Sequence, residues 1–185
     1  SGGTPAAARQ YSPSLIDRET RVNRWIERAE GAIAQADYST AQTLLEETIE
    51  IDSDNPAHYL RLGQVLIEQQ SYEQAETALR EVIRLEPDSA EGYAELSNAL
   101  LVQGRDDAAM LSAQRALRLD GQNEVAHFVL GDIYFGARNL EAAAEAYQTA
   151  IRLNPEDIES LNNLSYVLQD LDRWDEAEAA LRQAV

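Results

Sequence analysis

AEGYAELSNALLVQGRDDAA, residues 90–109, and EVAHFVLGDIYFGARNLEAA, residues 124–143, decide how this chain reads. They lie 34 residues apart and align without a gap, large residue over large and small over small. The same step carried in both directions gives units 22–55, 56–89, 90–123, 124–157 and 158–185, the last incomplete, opening at Val22, Pro56, Ala90, Glu124 and Ile158. The twentieth place is Ala41, Ala75, Ala109, Ala143 and Ala177; the eighth is Ala29, Gly63, Ser97, Gly131 and Ser165. A place held small in every unit predicts a close helix crossing, where a larger side chain would hold two backbones apart.

Bulky residues fill the complementary places. Trp25, Tyr59, Tyr93 and His127 stand fourth, Leu62, Leu96, Leu130 and Leu164 seventh, Leu66, Leu100, Tyr134 and Leu168 eleventh. Together with the eighth place they make one helical stripe. A second stripe runs through Leu45, Leu79, Tyr147 and Leu181 at the twenty-fourth place and Ala116, Ala150 and Ala184 at the twenty-seventh. Pro87 and Pro155 stand where the second helix must stop, with Ser53 and Gly121 in the other two junctions. Each unit therefore reads as helix-turn-helix, and the whole chain as all-α.

Residues 1–21 do not fit the period. SGGTPAAARQ reads as a flexible leader, with residues 14–21 opening a short cap; Ser1-Gly2-Gly3 reads as an expression scar or the sequel to a lipoprotein's lipidated Cys. The segment carries three Arg against Asp17 and Glu19, with Tyr11, Leu15 and Ile16 as apolar anchors, in a chain that is otherwise acidic throughout.

Charge narrows the partners. Thirty-three acids against fifteen bases, all Arg, leave a net charge of −18, which repels nucleic acid and anionic membrane alike. No apolar run reaches the roughly 18 residues of a membrane span. With no Cys there is neither disulfide nor thiolate chemistry, so cytoplasm and periplasm stay equally open.

The pattern of Trp, Leu-Gly, Tyr, Ala and Pro at these places resembles the tetratricopeptide repeat family, over residues 22–185. The first unit departs most, with Arg28 where Leu is expected and Thr48 where Ala is expected. The resemblance implies a right-handed α-solenoid, a superhelix whose first helices line a concave groove. It also implies that the second, fifth, ninth, twelfth and thirteenth places of each unit face that groove. There stand Ile26, Glu30 and Ile33; Leu60, Gln64, Ile67 and Glu68; Glu91, Ala94, Asn98 and Leu101; Phe128, Asp132 and Phe135; Glu159, Asn162, Tyr166 and Asp170.

Both Phe residues of the chain fall on this stripe, seven residues apart. Two readings stay open for them: an apolar floor that receives a ligand, or packing between neighbouring first helices. Some family members grip a chaperone's C-terminal carboxylate with basic residues. Ile26, Glu30, Arg61, Glu91 and Glu95 stand at those places here, and the registers opening on Leu60 and Gln64 or on Ala94 and Asn98 fail as well.

Sites for chemistry are discounted. There is no phosphate-cradling glycine loop, GxSxG elbow or HExxH pair. His127 takes the place of a packing aromatic, and Asp52-Ser53-Asp54-Asn55 reads as inter-repeat turn and helix cap, since Ala57 and Gly63 stand where a calcium loop needs Gly and Glu. Arg84, Arg118 and Arg152 recur at the twenty-ninth place, in the last turn of a second helix, where a cation favours the dipole. The expectation is a bacterial-type scaffold or adaptor without catalytic residues, cofactor or metal, holding a protein or peptide that carries apolar and basic residues. Two alternatives are the substrate-recruiting part of a larger glycosyl- or sulfotransferase and a module that self-associates through the leader or an uncapped C-terminal helix.

Overall fold

The structure, a computed structural model, describes residues 15–183, with side chains from Asp17 onward. Among these residues every regular element is an α-helix: α1 (Leu15–Ile33), α2 (Tyr38–Ile51), α3 (Pro56–Glu68), α4 (Tyr72–Leu85), α5 (Ala90–Leu101), α6 (Asp106–Leu119), α7 (Glu124–Gly136), α8 (Leu140–Leu153), α9 (Ile158–Asp170) and α10 (Trp174–Gln183). The openings of α3, α5, α7 and α9 are the unit boundaries read from the sequence, and every second helix opens at the seventeenth place. Most of the expected leader lies outside the described residues; residues 15–21 run directly into α1.

Local chemistry explains the starts. Asn55, Ser89, Asn123 and Asp157 each precede a first helix and accept a hydrogen bond from a backbone N–H of its first turn. Asn55 thus fills the capping role expected at the first junction. The turn inside each repeat closes at the fifteenth place, where Ala36, Gln70, Gly104, Arg138 and Asp172 all take φ between 56° and 70°. Only Gly104 is suited to that left-handed backbone.

The chain divides into two compact units, Ser1–Ser53 and Asp54–Val185. In the first, α1 lies against α2, with Ala29, Ala41, Leu44, Leu45 and Thr48 buried. Arg21 stands over the ring of Trp25, 5.0 Å from its centroid.

In the second unit each repeat pairs its own two helices, each second helix packs on the first helix of the next repeat, and successive first helices adjoin one another as a single wall. The small eighth place has the cause expected. A methyl on Gly63 would lie 2.7 Å from Leu79, and one on Gly131 2.6 Å from the Tyr147 ring. The residue crossed is the twenty-fourth of the same unit, so these two places share one volume. Ser97 and Ser165 fill the same place with a hydroxyl that donates to the carbonyl oxygens of Ala94 and Asn162. Between repeats, a methyl on Gly92 would lie 2.8 Å from Val82 of the preceding second helix.

The joint between repeats two and three buries a carboxylate, and the sequence gives no sign of it. Glu76, buried on α4, accepts hydrogen bonds from Arg105 at 2.7 and 2.8 Å and from Gln103 at 3.3 Å, and pairs with Arg80 at 2.6 Å. Burial alone would raise its carboxyl, but Arg105, Gln103 and Arg80 outweigh that and hold it below its ordinary value.

Candidate functional site

The wall formed by α3, α5, α7 and α9 carries the groove places of repeats two to five. Its polar residues bond from one first helix to the next. On α3 the Gln64 amide donates to Glu95 on α5 at 2.9 Å and to Glu91 at 3.4 Å, while Arg61 donates to the Gln64 carbonyl oxygen at 3.1 Å. On α9 Asn163 donates to Asp132 Oδ1 on α7 at 3.0 Å, and the Tyr147 hydroxyl donates to the same oxygen. Both cross-wall bonds to Glu95 and Asp132 join a ninth place to the sixth place of the following unit. Asn98 is half-buried at the ninth place between them. Its counterpart is Val129, fully buried and apolar, and its amide makes no hydrogen bond among the described residues.

Apolar groove places are half-buried: Leu60, Ile67, Leu101, Phe128 and Phe135. Phe128 lies 6.2 Å from Tyr147, ring centroid to centroid, with the planes tilted by 56°. Phe128 and Phe135 both pack against the buried cluster of Tyr147, Leu164, Val167 and Leu168. Both rings thus pack in part against the core, as the packing reading expects. Asn162 is half-buried and Tyr166 is 58% exposed. Ile26, half-buried, and Glu30, exposed, stand on α1 in the other compact unit.

The wall is electronegative. Glu91, Glu95, Asp120, Asn123 and Glu124 surround a cleft of about 340 Å³ where α5 meets the start of α7. Burial, and then the carboxylates of Glu91, Glu68 and Glu124, push Glu95 above its ordinary value against the bond from Gln64. Asp132 is likewise raised, by burial and by Asp157, against the bonds from Tyr147 and Asn163. Tyr147 is raised by burial and by its bond to Asp132, so it keeps its proton and remains a donor.

The sequence reading missed Tyr147 and Asn163 as parts of this surface, and named Arg61 and Glu95 only as residues unfit for a carboxylate grip. The cross-wall partners Gln64 and Glu95, and Asp132 and Asn163, stand 31 residues apart, a spacing that shows only once the wall's register is known. His127 does more than pack: its ring Nε2 lies 3.2 Å from the Gly121 carbonyl oxygen and ties the junction before α7. Among the described residues no group of three or more His, Asp or Glu is placed to hold a metal, and no helix is long and apolar enough to cross a membrane.

Two family profiles, both for tetratricopeptide repeats, match residues 32–96 and 126–185. The chain belongs to the tetratricopeptide repeat family. Comparison with curated protein sequences gives no match. Among solved structures, the thermophilic tetratricopeptide protein TTC0263 of Thermus thermophilus superposes with a TM-score of 0.77 at 19% identity, covering 88% of this chain and 89% of its own. MamA from Desulfovibrio magneticus RS-1 gives 0.68 at 20% identity, over 89% and 93%. YrrB, described as a tetratricopeptide protein with an unusual peptide-binding site, gives 0.60 at 18% identity, over 91% and 88%. At these identities the likeness establishes the fold alone, an all-α solenoid of helix-turn-helix repeats; the general protein-binding, scaffolding character comes from the family that the two profiles match.

Proposed function

We propose that repeats two to five hold an extended or helical segment of a partner protein against the first-helix wall, with the main anchor in repeat four. The observation that carries this reading is the placing on α7 of Phe128 and Phe135, each packed on the core yet not fully buried, on either side of Asp132. Tyr147 and Asn163 both occupy Asp132 Oδ1, and Oδ2 takes no hydrogen bond among the described residues. A carboxylate oxygen held by two donors and flanked by rings suits a partner N–H or a basic side chain beside an aliphatic or aromatic anchor. Both rings are already mostly covered, so burying the rest of each contributes up to roughly 0.5–1 kcal/mol, about a third of the value for a whole Phe, before ordering costs. Asn98 offers an amide to a partner backbone, and Glu91, Glu95 and Glu124 select basic over acidic segments. The chain binds, and any chemistry is the partner's.

Selection from a displayed library of random peptides tests this. The protein enriches sequences with aliphatic or aromatic residues next to Lys or Arg, and Phe128→Ala with Phe135→Ala abolishes the enrichment. Because both rings also touch the core, Asp132→Asn, which keeps the shape, serves as the second variant and weakens binding of the selected peptides about tenfold. Unchanged enrichment with both variants sinks the reading.

A further inference from the structure

Tyr147 lies on α8, a second helix, and is fully buried, so no partner seated on the wall can touch it. Its ring fits beneath α7 because Gly131 leaves room there; a methyl on Gly131 would lie 2.6 Å from it. Phe128 braces the ring at 6.2 Å between centroids, and Leu164, Val167 and Leu168 belong to the same buried cluster. A phenol enclosed in this way needs a partner for its hydroxyl. Here it donates to Asp132 Oδ1. The corresponding residues of repeats two, three and five, Leu79, Ala113 and Leu181, have no hydroxyl, so only in repeat four does this place put a hydrogen bond on the wall.

Asp132, half-buried on the wall, is held from two helices. Tyr147 on α8 and Asn163 on α9, the latter at 3.0 Å, donate to the same oxygen. The terminal torsion of an aspartate is soft, and two donors from different elements remove that freedom, which fixes where Oδ2 stands. The charge itself is crowded. Asp157 and Glu159, at the start of α9, act on Asp132 as like charges, and no Arg pairs with it among the described residues; Arg138 on the same wall pairs instead with Asp170. Burial and Asp157 favour the neutral acid, while Tyr147 and Asn163 favour the anion. The ninth place of repeats two, three and five holds Gln64, Asn98 and Tyr166, so Asp132 is the one carboxylate in that row.

We propose that Tyr147 is a positioning residue of the groove: through Asp132 Oδ1 it orients Oδ2 and keeps the carboxylate charged for a Lys or Arg side chain of the partner. This rests on the first-helix wall being the partner's seat, and it fixes the group that Asp132 meets as a side-chain cation. A neutral backbone N–H would leave the crowded charge of Asp132, Asp157 and Glu159 unanswered, whereas a cation answers it and makes the stronger hydrogen bond. A carboxylate already oriented before the partner arrives also loses less freedom on binding.

Titration of the full chain with peptides selected on it tests this. Tyr147→Phe keeps the ring and removes only the hydroxyl, and it weakens binding of peptides bearing Lys or Arg roughly three- to tenfold. The same peptides with that basic residue changed to Ala bind variant and parent alike, and Tyr147→Phe adds no loss in an Asp132→Asn background. Removing a donor to the anion raises the Asp132 carboxyl, so on acidification binding fades at a higher pH than in the parent, and NMR of the Asp132 side-chain carboxyl in the free protein moves the same way. Asn163→Ala, at a half-buried place, repeats both shifts and stands in if Tyr147→Phe impairs folding. Unchanged affinity and pH profile in both variants overturn the positioning role while the selected peptides leave the groove reading standing. An equal loss with the Ala peptides, or in the Asp132→Asn background, assigns the effect to packing and overturns it as well. A selection that enriches nothing sinks the groove reading and this role together.

Discussion

Repeats three and four fold alike from opposite choices of side chain. At the shared crossing, repeat three places Ser97 and Ala113, both fully buried, while repeat four places Gly131 and Tyr147. The two pairs differ in summed size by most of an aromatic ring, so the crossing accepts either two small residues or a glycine beneath a large ring. Repeat four uses that freedom. Because Gly131 has no side chain, the Tyr147 ring crosses beneath α7, and its hydroxyl reaches Asp132 on the groove wall. In repeat three no large residue makes that crossing, and Asn98 at the place of Asp132 is unheld. A packing choice beneath α7 thus decides whether the polar residue on the wall above it is held.

The sharpest way to break the comparison is Gly131→Ala. The added methyl meets an aromatic ring with nowhere to move, so stability to denaturant falls by about 1–3 kcal/mol, whereas Ser97→Ala changes it by no more than about 0.5 kcal/mol. Equal losses from the two would show that shared volume is not what holds the eighth place small.

Next in size is the polar joint between repeats two and three. Arg105→Ala leaves buried Glu76 with only Arg80 and the Gln103 amide and costs about 1–3 kcal/mol by urea unfolding, less than for a fully enclosed pair because Arg105 is itself 45% exposed. Glu76→Gln in the Arg105→Ala background recovers part of that loss. If it does not, the buried charge is not the cause.

Acid separates the groove from that joint by sign. Glu95 and Asp132 are raised in the folded state, so the folded protein takes up their protons first. Stability therefore rises as pH falls from neutral through their raised values toward the ordinary carboxylate value near 4. Glu76 is depressed, so its contribution is full above the ordinary value and is lost only as pH falls through the depressed one. The urea midpoint should pass through a maximum on mild acidification, and Glu95→Gln should flatten its neutral-side slope. A midpoint that only falls from neutrality would contradict the groove's electrostatics.

The smallest effect concerns the fifteenth place. Gln70→Gly relieves a left-handed backbone and raises stability by roughly 0.5–1 kcal/mol, while Gly104→Ala lowers it by a similar amount; thermal unfolding of both shows whether the turn of repeat three is better matched than that of repeat two.

Period, helix boundaries and the small places were legible because each follows from residue size recurring at a fixed step. The opening residues of α3, α5, α7 and α9 needed nothing more. The left-handed fifteenth place was not legible, since Ala36, Gln70, Arg138 and Asp172 share no side-chain property; the helix pair around them imposes the turn. The groove was half legible. Family register placed Phe128, Asp132 and Phe135 on one face of α7, but which residues hold Asp132 depends on contacts 15 and 31 residues away.

The sequence alone determined an array of paired helices, because steric size repeats along one dimension and neighbours in space are neighbours in the repeat. Tertiary structure alone decided which charges are buried, which are paired and which face outward. An acid on an amphipathic helix reads the same whether it stands exposed beside an arginine of its own helix, like Glu178 on α10, or is buried against an arginine from the next repeat, like Glu76. Only the distance and solvent between groups set that difference, and neither is written in the order of residues.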